Sequence, residues 1–162
     1  MNAGSDIETE VSVQSILKLF RIIFKSTTQH FHEVEQKLGI GGASLWALAE
    51  VAGAEPLTVS GLAKTMSIHQ STASNLIEKL ESRGYLMRQR SQSDRRVVHL
   101  MLTSKGRMTL SQAPPPYRGV LPDAVMKLSP ETLMQLHANL IELVSKLERK
   151  HEEDAYKPLG EL

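Results

Sequence analysis

The 162-residue sequence predicts a mostly α-helical fold carrying one small β-hairpin. Three observations predict it. Apolar residues recur every three or four positions along most of the chain. The period shortens to two only between Tyr85 and Leu102. Gly, Pro, Ser and Thr stand where helices would start and stop.

From about Val11 to Leu38, the residues Val13, Ile16, Leu17, Phe20, Ile23, Phe24, Phe31, Val34 and Leu38 describe one amphipathic helix, with Gly39 as a left-handed cap. The run GIGGAS has neither a preceding strand nor phosphate-loop glycine spacing, so it reads as a helix connector. A second helix starts near Ala43 and stops by Gly53, and Pro56 blocks its continuation. Thr58 is placed to N-cap a short helix, Val59 to Met66. After a break at Ser67 and Ile68, a longer helix runs from His69 or Gln70 to Arg83, with Ala73, Leu76, Ile77 and Leu80 on one stripe and Gly84 at its end.

Alternation then puts Leu86, Arg88 and Arg90 on one side of a strand, and Val98, Leu100 and Leu102 on one side of another spanning Arg96 to Leu102. Ser91 to Arg95 is the polar turn between them. Thr103 and Ser104 open a further helix that the prolines at 114 to 116 interrupt, and helix can resume after Pro116 or Pro122 and reach Leu128. Ser129 and Pro130 start the last helix, whose Leu133, Leu136, Leu140, Leu143, Val144 and Leu147 approach a heptad stripe for packing on another helix. The polar end from His151 to Leu162 reads as a frayed tail.

Composition narrows the function classes. No cysteine is present, which excludes disulfides, thiolate metal sites and thiol chemistry. Aromatics are only 4% of residues, so the core rests on Leu, Ile, Val, Ala and Met. The opening MNAGSDIETEV lacks the pattern of a signal peptide, and the most apolar stretch, Leu45 to Ala54, is too short to span a bilayer. A cytoplasmic location is expected, with no membrane partner.

The net charge of +1 conceals a strong asymmetry. Between Thr58 and Arg107 nine Lys and Arg face three acids, a local +6 that leaves −5 for the rest of the chain. A basic middle between acidic ends is the outline of a nucleic-acid-binding module, although a solvated surface can produce the same imbalance.

Helix, short helix, longer helix and hairpin together make the plan of a winged helix-turn-helix. A helix fits the major groove. With its apolar stripe buried, the longer helix offers Gln70, Ser71, Ser74, Asn75 and Glu78, with Thr72 and Lys79 at the margins. Gln70 and Asn75 have the chemistry to pair bidentately with adenine, and Ser71, Thr72 and Ser74 suit phosphates or bases. The same face would serve as the wet side of an ordinary surface helix; the adjoining basic hairpin favours DNA. At the hairpin, Arg95 is placed to enter a minor groove, while Arg88, Arg90 and Arg96 are within reach of phosphates. Arg96 has a second reading, pairing with Asp94 to hold the turn as a wing scaffold. Thr58 joins these as a DNA-facing residue at the start of the short helix.

The segment LTVSGLAKTMSIHQSTASNLIEKLESRGYLMRQRSQSDRRVVHLMLTSKGR resembles the DNA-binding core of the MarR family of bacterial regulators. The short helix, QSTASNLIEKLESRG, the Asp94-Arg95-Arg96 wing and LTSKG carry the resemblance, which extends more loosely from Val11 to about Lys150. It implies a winged helix-turn-helix plus a helical dimerisation region. The expected units are an N-terminal dimerisation helix (1–40), the DNA-binding domain (41–103), C-terminal dimerisation helices (104–150) and a flexible tail (151–162). It further implies a homodimeric repressor on double-stranded DNA, engaging a pseudo-palindromic operator and released by a small anionic aromatic effector. Phe20, Arg21, Phe24, His30, Phe31 and Trp46 are the candidate effector-pocket residues, each also explicable as core or interface. The triple proline and the absence of cysteine depart from the family pattern.

No catalytic constellation appears, so an enzyme is not expected, and neither a cofactor nor a metal is assigned. Some relatives of this family bind zinc through residues of the first helices, which makes His30, His32, Glu33 and Glu35 alternative ligands of a metal-responsive regulator. His30 and His32 nevertheless fall on different sides of a helix. The other alternative is a winged-helix protein-interaction module.

Overall fold

The computed structural model describes residues 12–161, so Val11 and the terminal Leu162 lie outside the described residues. The first helix, α1, spans Val13–Leu38. Ser12 caps it in a reciprocal pair with Ser15, and Gly39 ends it at φ 67°, a conformation that favours glycine. Only its C-terminal half is anchored, through buried Thr27, His30 and Val34; Val13, Leu17, Ile22 and Phe24 lie open.

Helix α2 (Gly42–Gly53) is the centre of the core, contributing Leu45, Ala47, Leu48 and Val51. It packs close to α1 because Gly42 has no side chain: a Cβ there would enter the Phe31 ring. Around α2 stand α3 (Val59–Met66) and α4 (Gln70–Ser82), which bury Leu62, Ala63 and Met66, and Ala73, Leu76, Ile77 and Leu80. The Thr58 hydroxyl caps α3, accepting from the Gly61 N–H at 3.1 Å.

Two antiparallel strands, β1 (Leu86–Arg90) and β2 (Val98–Leu102), close the unit, with Leu86 opposite Leu102, Arg88 opposite Leu100 and Arg90 opposite Val98. Leu86, Leu100 and Leu102 bury against the helices, while Arg90 runs out into solvent and Arg88 turns to Glu81 of α4. On the other edge of β2, Leu100 donates its N–H to the Leu57 carbonyl at 2.7 Å. The second strand begins at Val98 and not at Arg96, because Arg96 is held in the turn by Asp94.

Helix α5 (Ser104–Gln112) is capped by Thr103 and stops where Ala113 turns extended before the prolines. Those prolines therefore break the linking helix, as backbones lacking N–H donors and preceded by a restricted residue must. The chain resumes as α6 (Val120–Met126), with Pro122 tolerated in its first turn, and then α7 (Pro130–Ser145). The last helix ends at Ser145, so Leu147 of the expected stripe lies beyond it. Its apolar residues are uncovered: Leu140, Ile141, Leu143 and Val144 are 40 to 58% exposed.

The tail departs from the frayed end expected of it. It forms two 3₁₀ turns, Glu152–Tyr156 and Leu159–Glu161, buries Pro158 and lays Tyr156 against His69. Its acids make it read as polar, but Tyr156, Pro158 and Leu159 supply enough apolar surface to dock.

Candidate nucleic-acid interface

The turn into α4 is built by Ser67, in the left-handed region at φ 54°, whose N–H closes the end of α3 on the Ala63 and Lys64 carbonyls. It turns the chain so that α4 rests its apolar stripe on α2 and α3. Gln70, Ser71, Asn75, Glu78 and Lys79 are left exposed, with Thr72 and Ser74 half-buried. Gln70, Ser71, Thr72, Ser74 and Asn75 occupy the first half of the helix, where unpaired N–H groups and the dipole favour an anion.

The wing tip is internally braced. Ser91 donates its N–H to the Val97 carbonyl at 2.9 Å, and Val97 donates to Asp94 at 2.9 Å. Asp94 accepts the Arg96 backbone N–H at 3.0 Å and both ends of its guanidinium fork at 3.2 Å. The Arg96 guanidinium, aided by the Arg96 N–H, holds the Asp94 carboxyl below the usual aspartate range. Arg95, between them, is exposed and has no partner among the described residues; with Arg90, Ser91 and Gln92 it lines a concavity on the wing.

Five of the nine cations in the basic segment are already occupied. Arg88 pairs with Glu81 at 2.9 Å, Arg96 with Asp94 and Arg107 with Glu55 at 2.8 Å. Arg83 donates to the Gly39 carbonyl at 2.9 Å and Lys105 to the Arg83 carbonyl at 2.7 Å, both over the Tyr85 ring. Lys64, Lys79, Arg90 and Arg95 have no side-chain partner among the described residues. The free positive charge is thereby concentrated on α3, α4 and the wing tip. Arg88, grouped in sequence with the phosphate contacts, serves first to tie β1 to α4. Thr58 likewise spends its hydroxyl on capping α3 and on a contact with Ser60 at 3.1 Å.

Two positioning residues were absent from the sequence reading. Glu81 faces Arg88 only because α4 and β1 fold back on each other, although opposite charges seven residues apart across a Gly turn were a usable hint. Glu55 had no local signal: it accepts from the Leu102 N–H at 3.0 Å and from Arg107, fastening the base of the wing to the loop before α3. Partial burial acts against its charge, but the Leu102 N–H and Arg107 outweigh that and hold the carboxyl below its ordinary value.

Within one copy the six candidate pocket residues lie in separate places. Phe20 and Phe24 stack at 6.0 Å on the open half of α1, beside exposed Arg21. Phe31 fills the space over Gly42, Gly119 and Gly160, and His30 is buried at its side. Trp46 packs on the core and donates to Glu50 at 2.8 Å. A concavity of about 270 Å³ does exist between α2 and α6, but Glu50, Tyr117, Arg118, Asp123 and Met126 line it, and its Arg118 is compensated by buried Glu50. The alternative metal ligands are dispersed too. His32 bonds Gln36 at 2.8 Å and Glu33 bonds Gln29 at 3.0 Å, and among the described residues no three such groups converge.

Residues 44–98 match the model of the MarR family. Over 94 residues the chain is 31% identical to the transcriptional repressor MprA of Escherichia coli (strain K12), covering 58% of this chain and 53% of that protein. It thus spans about half the length of that curated relative. It is 25% identical to the HTH-type transcriptional repressor MdtR of Bacillus subtilis (strain 168), covering 70% of this chain and 73% of MdtR. Among solved structures it is similar to a mutant of S. aureus MepR bound to an oligodeoxyribonucleotide, with a TM-score of 0.54, 25% identity and coverage of 82% and 98%. A MarR family protein from Bacillus stearothermophilus shares the fold at a TM-score of 0.54, with 23% identity and coverage of 85% and 96%. The family match falls on α2 through the wing, the part of the molecule where the free polar and basic groups gather, and over that segment the chain is similar to the MarR family.

Proposed function

We propose that this chain is a sequence-specific DNA-binding transcriptional repressor that acts as a homodimer in the cytoplasm. One observation carries the reading: beside a recognition helix with an open polar face, Arg90 and Arg95 stay free while their neighbours are locked in internal pairs. In this reading α4 reads base edges in the major groove and Arg95 enters the flanking minor groove. The repressor names of MprA and MdtR and the oligodeoxyribonucleotide bound to the MepR mutant support it. A protein-docking face would instead expose apolar side chains, and this one is small, polar and basic.

The dimer follows from the uncovered apolar half of α1 and the open face of α7, which a second copy would bury. Two recognition helices related by a two-fold axis call for a pseudo-palindromic operator. Release by a small anionic aromatic is the regulatory part of the proposal. Phe20, Arg21 and Phe24 lie on the same open half of α1, so a pocket using them is completed only across the dimer.

Titrating a labelled duplex at rising salt tests the core of this reading. Affinity should fall by about 10³ or more between 50 and 200 mM salt if six or more phosphates are contacted. Salt-independent binding would sink it. For the effector, thermal-shift screening of anionic aromatics is followed by DNA-release assays, and stabilisation without release would remove the regulatory part.

A further inference from the structure

We infer that residues 151–161 form an autoinhibitory strap against the N-terminal end of the recognition helix, an inference that rests on the DNA-binding reading of α4. The Tyr156 ring lies 4.4 Å from the His69 ring, centroid to centroid, with the planes 37° apart. His69 is the N-cap residue of α4, and Gln70 and Ser71 follow it directly. The strap is seated at its other end as well. Pro158 is buried, and the Gly160 backbone lies so near α1 and α2 that a Cβ there would sit 3.5 Å from the Phe31 ring and 3.6 Å from the Ala43 nitrogen.

What the strap brings to α4 is negative charge. Glu152, Glu153 and Asp154 precede Tyr156 in the same five-residue 3₁₀ turn, which is only about 10 Å long. The first turn of α4 is where DNA phosphate would be held by backbone N–H groups and the helix dipole. A duplex approaching that end therefore meets an aromatic ring against His69, and the turn that carries the ring also carries three carboxylates. Among the described residues Asp154 alone of the three has an ion-pair partner, Lys157 at 2.6 Å.

The contact is shallow, which makes it a detachable cover and not part of the core. Tyr156 remains 49% exposed and Leu159 39%. A strap docked nine-tenths of the time leaves one-tenth of the molecules competent, so it weakens apparent affinity about tenfold.

Two variants of the full chain test this: Tyr156→Ala, and the combined Glu152→Gln, Glu153→Gln and Asp154→Asn. Binding of each to a labelled mixed-sequence duplex of about 30 base pairs is titrated at low and high salt beside the unaltered chain. Both should bind roughly three- to tenfold more tightly at low salt. The gain from removing the carboxylates should shrink as salt rises, while the gain from Tyr156→Ala persists. The His69 ring proton resonances should shift in Tyr156→Ala. Equal or weaker binding by both variants overturns the strap while leaving DNA binding standing. If the unaltered chain and both variants fail to bind at low salt, the DNA reading itself fails and the strap with it.

Discussion

Arg95 and Arg96 are adjacent in sequence and do opposite work. Arg96 closes the wing turn on Asp94, whereas Arg95 is left to reach outward. Arg95→Ala is therefore expected to weaken every duplex by a similar factor, and to lower the salt slope by about one, without moving the melting temperature. Asn75→Ala should instead cost about 1–3 kcal/mol of discrimination between operator variants, read by competition titration; an unchanged preference would mean α4 docks in another register. The Asp94 brace carries its own pH signature. Its folded carboxyl is depressed below 3.8, so its contribution is complete above that value and is lost as pH falls through the lower folded one. The protection factor of the Val97 amide, its exchange rate relative to an unfolded peptide at the same pH, should thus hold at neutral pH and fall only in acid, and Asp94→Asn should abolish that dependence.

At the scale of elements, each join has a local cause. Thr58→Ala should remove the cap of α3 and destabilise the domain by about 1 kcal/mol, measured as a shift in denaturation midpoint. The start of α5 is more demanding. A Cβ at Gly106 would strike the Tyr85 carbonyl, which is backbone and cannot swing aside. Gly106→Ala is expected to cost roughly 3 kcal/mol by the same measurement, and a neutral result would mean α5 can slide on β1. These elements were almost fully legible in the chain, down to Thr58 and Ser129 as caps, because capping and periodicity act over a few residues. The wing base was not legible: Glu55 and Arg107 are 52 positions apart, and only packing of α2 against the hairpin brings them together.

On the scale of the whole molecule, the uncovered faces of α1 and α7 decide behaviour. Leu140→Glu with Ile141→Glu should convert a dimer into a monomer in sedimentation experiments. DNA affinity should fall with it, since the linkage between the two recognition helices is lost. If the unaltered chain is already monomeric at micromolar concentration, the two-fold operator model fails. The broken linking helix belongs here too. Pro114 to Pro116 turn one long helix into α5 and α6, and the segment between them bends back toward α2, where Arg118 meets Glu50.

By itself the sequence determined the helices, the hairpin, the core stripe of α4 and the basic character of the winged segment, all set by short-range periodicity, capping and composition. Tertiary structure alone decided which cations are spent and which are free. It also decided where the six candidate pocket residues lie within one copy, Phe20, Arg21 and Phe24 on the open half of α1 and His30, Phe31 and Trp46 against the core, and that Tyr156 of the tail rests on His69 at the start of α4. The physical reason is common to the three. Ion pairing, cavity lining and docking depend on distances between residues far apart in the chain, and no local pattern encodes those distances.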